Sequence, residues 1–192
     1  MGALMLDRRA LVRALLADRG DLLVVGGLGS ATYDMAAAGD HPLNFYLWGA
    51  MGGTAMIGLG LALAQPDRRV AVLTGDGDML MGIGSLATIG VKQPKNLALV
   101  VLDNAHYGET GMQPSATHHG IDLPAVALAC GFKTVRSISH PGEAEEIRWL
   151  LHSGDGPILV SARIGADEAP RVLPIRDGHA VKQRFIAALT PR

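Results

Sequence analysis

The chain has 192 residues, 48% of them hydrophobic and 18% charged, enough apolar surface for a substantial core and too little charge for a disordered polypeptide. Lys and Arg number 17 against 18 Asp and Glu, a formal net charge of −1 with no long run of either sign, so neither nucleic acid nor an anionic membrane surface has an electrostatic footprint to bind. Cys130 is the only cysteine, which excludes an internal disulfide and a cysteine metal cluster and accords with a reducing compartment, the cytoplasm by default.

The first predicted element is a surface helix over residues 8–18, with Asp7 as its N-cap and Gly20 just past its end. Asp7, Arg8, Arg9 and Arg13 interrupt its apolar positions, unlike the continuous apolar stretch of a signal peptide. Short apolar strands are predicted at 22–25, 70–74, 97–102 and 158–161, with a weaker one at 133–135. Helices are predicted between them at 30–38, 51–64, 80–91, 123–130 and 143–152, the last introduced by Ser139, His140, Pro141 and an acidic first turn. This alternation predicts an α/β fold: one domain over 1–192 built on an open, doubly wound, mostly parallel sheet with helices on both faces. Residues 164–178, with Pro170 and Pro174, read as an extended surface excursion before a last helix near 180–189.

Residues 43–65 carry no charged side chain and are about long enough to cross a bilayer. Gly49, Gly52, Gly53, Gly58 and Gly60, and a loop-like beginning, favour instead a core helix packed closely on a sheet. Cys130, closing an apolar helix before Gly131, reads as packing.

In open parallel sheets ligands sit beyond the carboxyl ends of the strands, so the strand exits carry the functional reading. Three stand out: Gly26-Gly27-Leu28-Gly29-Ser30, Gly75-Asp76-Gly77-Asp78, and Asp103-Asn104-Ala105-His106-Tyr107-Gly108. Asp76 offers a carboxylate oxygen on a tight glycine turn and Asn104 a neutral amide oxygen. With a backbone carbonyl, phosphate oxygens and water they suit the six oxygen ligands of Mg²⁺. Each residue alone is also ordinary turn chemistry. His106, His118 and His119, in or after the third exit, are candidates for acid–base work or anion binding, and equally for plain loop residues. His118 and His119 lack the partner set of a zinc site.

Gly75-Asp76-Gly77, then positions 78 to 103, which are 26 residues, then Asn104, resembles the motif of thiamine diphosphate enzymes. The resemblance implies Mg²⁺ held by Asp76, Asn104 and the main-chain carbonyl of His106, with the diphosphate near Gly29, Ser30, Gly75, Gly77, Asp78, Tyr107 and Gly108. Two departures are Asp103, where the family usually has a second asparagine, and Asp78, a carboxylate that repels phosphate unless it faces away or binds metal. Trp48-Gly49-Ala50-Met51-Gly52 resembles the segment supporting the bent cofactor, which implies Met51 as the wedge between its rings and the Gly49 carbonyl as acceptor for its amino group. Residues 79–88 and 107–114 are similar to sulfopyruvate and phosphonopyruvate decarboxylases, which implies loss of CO₂ from a short anionic 2-oxo acid to give an aldehyde. These enzymes also need a pyrimidine-binding domain with an activating glutamate, for which this chain shows no second α/β set. The implied assembly is a hetero-oligomer with a pyrimidine-binding (alpha) subunit, with self-association when that subunit is absent.

Three rivals remain. An acetolactate-type carboligase subunit shares the cofactor, and a non-catalytic regulatory subunit keeps the fold without needing Asp76, Asn104 and Met51. A dinucleotide-binding dehydrogenase domain is suggested by Gly27-Leu28-Gly29, but Thr32 stands where the third glycine belongs and no acidic residue follows at the usual distance.

Overall fold

A computed structural model describes residues 5–189. Six parallel strands, β1 (Leu23–Gly26), β2 (Asn44–Tyr46), β3 (Val70–Gly75), β4 (Leu97–Asp103), β7 (Thr134–Ile138) and β8 (Ile158–Arg163), form one sheet in the order β2-β1-β3-β4-β8-β7. A separate antiparallel pair, β5 (His106–Tyr107) and β6 (Gln113–Pro114), follows β4. Eight helices surround the sheet: α1 (Arg8–Leu15), α2 (Ser30–Ala38), α3 (Thr54–Ala64), α4 (Asp76–Met81), α5 (Gly84–Lys92), α6 (Leu123–Ala129), α7 (Ala144–Ser153) and α8 (Gly178–Leu189). The α/β class, the parallel sheet and the two helical layers are as the sequence predicts.

Each central strand divides its side chains between two cores. Val24, Ala71, Leu73, Ala98 and Val100 pack with residues of α1, α2 and α7, whereas Leu23, Val25, Val72, Leu97 and Leu99 pack with α3, α5, α6 and α8. Burial on both faces makes these strands continuous apolar runs. Asp7 caps α1 as expected, its Oδ1 accepting from Ala10 N at 2.6 Å. Two arginines of α1 reach the fully buried Asp34 of α2: Arg9 Nε donates to Oδ1 at 3.1 Å, while Arg8 Nε lies 3.0 Å from Oδ2 outside hydrogen-bond geometry, a purely electrostatic contact.

Several boundaries differ from the sequence reading. Within the segment 43–53 the loop leading into a helix is confined to residues 47–53. The segment also supplies the edge strand β2, and helix α3 begins at Thr54 rather than at residue 51. A three-residue strand with a buried Asn has no alternation to detect: Asn44 accepts from Arg19 and donates to Tyr46 Oη at 2.8 Å. Residues 80–91 are not one helix but α4 and α5, parted near Gly82. Helix α1 ends at Leu15, short of residue 18. Helix α3 lies against β3 so closely that a Cβ on Gly58 would stand 2.2 Å from Val72 Cγ2. This is the close packing its glycines suggested, and among the described residues no helix is long and apolar enough to cross a membrane. Cys130 is only half-buried, and its carbonyl receives the close approach of Gly90 from α5. Residues 165–177 carry no regular secondary structure, as read.

Candidate functional site

Register brings the strand exits to one edge of the sheet. Gly26 of β1 pairs with Leu73 of β3, Gly75 with Leu102 of β4, and Asp103 with Arg163 of β8. From β1 the chain crosses to β2 on one side, whereas β3 leads to β4 on the other, so the strand order reverses between β1 and β3, where open α/β sheets form their crevice. The crevice there is lined by Ser30, Met51, Gly75, Asp76, Gly77, Asp78, Asn104, His106, Tyr107 and Gly108. Gly29 is buried at its border. Gly49, His118 and His119 are exposed and do not line it.

Asp76 is not on a free turn but opens α4, where two acidic residues in the first turn favour the positive end of the helix. It is 1% exposed, and its Oδ2 accepts from the Ser115 hydroxyl and from Thr117 Oγ1 at 3.2 Å. Burial pushes its carboxyl above the usual range, the Ser115 bond opposes this, and the charge of Asp103 adds to it. Asp103 Oδ1 accepts from Ala105 N at 2.9 Å and Thr117 Oγ1 at 2.8 Å, and its Oδ2 is 3.1 Å from Arg163 Nη1. The carboxylate in place of the family's second asparagine therefore fixes the turn at Ala105, whose φ is +60. Asn104 Oδ1 accepts from His106 N at 3.0 Å, and His106 Nδ1 lies 2.8 Å from the Asn104 carbonyl.

Asp78 lines the crevice, yet both its oxygens are engaged by the chain's own donors. Oδ1 accepts from Gly52 N at 2.5 Å, and Oδ2 accepts from the Thr54 and Thr74 hydroxyls. Asp78 thus ties α4 to the turn that carries Met51, and its charge is met by three donors. Met51 is 39% exposed, and Gly77 sits between it and Tyr107: a Cβ there would be 2.7 Å from the tyrosine ring and 3.4 Å from Met51 Cε. Facing that turn from the junction of α4 and α5, a Cβ on Gly82 would overlap Gly52 O, whereas one on Gly84 meets nothing within 4 Å. Gly82→Ala should therefore cost about 1–3 kcal/mol through backbone displacement. Gly84→Ala, at the first position of α5, should be neutral or stabilise by roughly a few tenths of a kcal/mol, less than the mid-helix gain. Urea unfolding of both variants checks the pair, and equal midpoints would refute the contact.

The three histidines form an edge-to-face ladder, with ring centroids 5.5 Å apart for His106 and His118 and 5.2 Å for His118 and His119, but only His106 reaches the crevice. Ser115, Thr117, Arg163 and Glu109 escaped the sequence reading. Ser115 and Thr117 meet Asp76 across separations of 39 and 41 residues, for which no local signal exists. Glu109 does fall within the 107–114 run but carries no distinguishing pattern.

The donor set consists of hard oxygens, a carboxylate from Asp76 and an amide from Asn104. Among the described residues no three His, Cys, Asp or Glu cluster to enclose a metal by themselves. A carboxylate and an amide oxygen fit Mg²⁺, which takes one or two protein ligands and leaves the rest to phosphate and water. A Cβ on Gly75 would meet nothing within 4 Å, so backbone is bare beside Asp76, as a phosphate requires.

Residues 26–162 match the model of the thiamine pyrophosphate enzyme C-terminal TPP binding domain, thiamine pyrophosphate being another name for the diphosphate. The chain is 38% identical over 186 residues to a phosphonopyruvate decarboxylase of Streptomyces viridochromogenes, covering 94% of this chain and 45% of that protein. It is 35% identical over 168 residues to the sulfopyruvate decarboxylase subunit beta of Methanocaldococcus jannaschii, covering 84% of this chain and 89% of that one. The fold also matches the thiamine diphosphate-dependent 4-hydroxybenzoylformate decarboxylase of Rhodococcus jostii, with a TM-score of 0.67 at 23% identity over 88% of this chain and 34% of that one. The chain belongs to the thiamine pyrophosphate enzymes, matching their C-terminal TPP binding domain.

Proposed function

We propose that this chain is the diphosphate-gripping subunit of a Mg²⁺-dependent 2-oxo acid decarboxylase of the sulfopyruvate or phosphonopyruvate type, releasing CO₂ and an aldehyde, and acting in the cytoplasm. The observation that carries the reading is the meeting of buried Asp76, Asn104 and half-exposed Met51 around one crevice at the strand-order reversal. Similarity to two decarboxylases of anionic 2-oxo acids supports the substrate class.

In this reading Asp76, Asn104 and the His106 carbonyl hold Mg²⁺. Gly29, Ser30, Gly75, Gly77, Tyr107 and Gly108 surround the diphosphate. Asp78 holds the turn after Met51 through Gly52 N, and on that turn Met51 would be the wedge between the cofactor's rings and the Gly49 carbonyl the acceptor for its amino group. When bound, the cofactor would supply the electron sink that loss of CO₂ from a 2-oxo acid requires. His106 is the histidine placed to move a proton or meet the substrate's anion, and His118 and His119 support it through their ladder. A pyrimidine-binding alpha subunit, bearing the activating glutamate, completes the cleft over Met51. One of the similar proteins is itself a subunit beta, which supports a hetero-oligomer.

The test is a substrate panel on the assembly with its partner, with Mg²⁺ and cofactor saturating. Sulfopyruvate or phosphonopyruvate should exceed pyruvate in kcat/KM by on the order of 100-fold, the value of one well-placed charged contact to the second anion. Equal rates on pyruvate would move the assignment to acetolactate-type chemistry.

A further inference from the structure

The cofactor crevice opens at the start of α2 into a second hollow lined by Ser30, Asn104, Glu109 and Arg171. Two arginines border the pair of cavities. Arg8 is committed to fully buried Asp34. Arg171 faces only a partly exposed carboxylate, that of Glu109, its Nη2 lying 3.7 Å from Oε2. Its position is nonetheless defined. The guanidinium sits 5.6 Å from the ring centre of Tyr33 on α2, and the neighbouring Pro170 carbonyl accepts from Arg9 Nη2 at 2.8 Å. Further along the irregular segment the Ile175 carbonyl accepts from Trp48 Nε1 at 3.0 Å.

Glu109 meanwhile lies over the approach to Ser30. A Cβ on Gly29, whose φ is +68, would stand 2.7 Å from Glu109 Oε1. A carboxylate thus occupies the border where the reading above brings a phosphate, and the same carboxylate holds the arginine. Glu168 also borders the second hollow, so a diphosphate approaching there meets two carboxylates, Glu109 and Glu168, beside Arg171. A diphosphate keeps net negative charge after one Mg²⁺ binds, so a further cation nearby favours it.

We propose that Glu109 and Arg171 form an electrostatic latch on the cofactor crevice: Glu109 holds Arg171 and covers Gly29 in the cofactor-free chain, and the diphosphate takes Arg171 as its counter-ion and expels Glu109. The inference rests on the cofactor reading above. Both side chains are partly exposed, and the one contact with the core is the stacking of Arg171 on Tyr33, so their substitution leaves the fold standing.

The experiment titrates Mg²⁺ with inorganic pyrophosphate into the full chain by calorimetry at low ionic strength. This probe needs only the diphosphate grip, which the reading assigns to this chain. Glu109→Gln removes the competing charge and should tighten binding about tenfold, and Arg171→Ala should weaken it about tenfold, with Arg171→Lys intermediate. Arg171→Ala should also lower the salt dependence, since one fewer cation is engaged. Either Glu109→Gln or Arg171→Ala matching the parent overturns the latch while leaving the cofactor reading intact. Failure of the folded parent chain to bind Mg²⁺ and pyrophosphate overturns the cofactor reading and the latch with it.

Discussion

Purified by itself, the chain should show no measurable 2-oxo acid decarboxylation even with saturating thiamine diphosphate and Mg²⁺. The reason lies in the carboxylates available. Of those bordering the crevice, Asp76 is bonded to Ser115 and Thr117, Asp78 to Gly52, Thr54 and Thr74, and Glu109 faces Arg171. Each already has partners on the diphosphate side of Met51. In the proposed function, activation of the pyrimidine ring is assigned to an acid of the alpha subunit. A positioned acid or base is worth about 10²–10⁴ in rate. A steady-state assay, with mass analysis excluding a co-purified partner, should therefore give turnover lower by at least that factor than the same chain with its pyrimidine-binding subunit. Full turnover by the lone polypeptide would end the split-subunit reading.

Asp76→Asn should remove Mg²⁺-dependent cofactor binding while leaving the fold as stable as before or more so. The amide keeps an acceptor for the Ser115 and Thr117 hydroxyls, so those buried donors are not orphaned. The sign of the stability effect follows from the direction of the shift: burial raises the Asp76 carboxyl, so folding with the carboxylate ionised carries a desolvation cost, and removing the charge relieves that cost. Metal affinity goes the other way, because a neutral amide is a much weaker ligand than a carboxylate. The loss should be on the order of 100-fold or more, beyond what losing an outer-shell partner costs. Thermal unfolding without metal and calorimetry with it separate the two effects. A variant that unfolds early and binds as the parent does would reverse the assignment of Asp76 from ligand to scaffold.

How much of this was legible depends on the range of the interactions. β3 and β4 are continuous apolar runs because both faces are buried, and the sequence locates them almost to the residue. The crevice residues were legible because strand exits converge by topology. What escaped was decided at a distance. Asp78 reads as a threat to phosphate until Gly52 and Thr54, 26 and 24 residues earlier, are seen to take its charge. Asp76 reads as a turn residue because flanking glycines mask a helix start. β2 has three residues and owes its place to Arg19 and Tyr46. Arg171 lies in a segment without periodicity, and only the fold brings it beside Glu109.

The most direct test of the central claim, that this chain grips thiamine diphosphate through Mg²⁺ at Asp76 and Asn104, is a calorimetric titration of the purified chain with the cofactor. It is run in Mg²⁺, in EDTA, and with Asp76→Asn. One saturable site in Mg²⁺, absent in EDTA and absent in the variant, is the predicted result. No binding by the folded parent, or equal binding in EDTA, would contradict it.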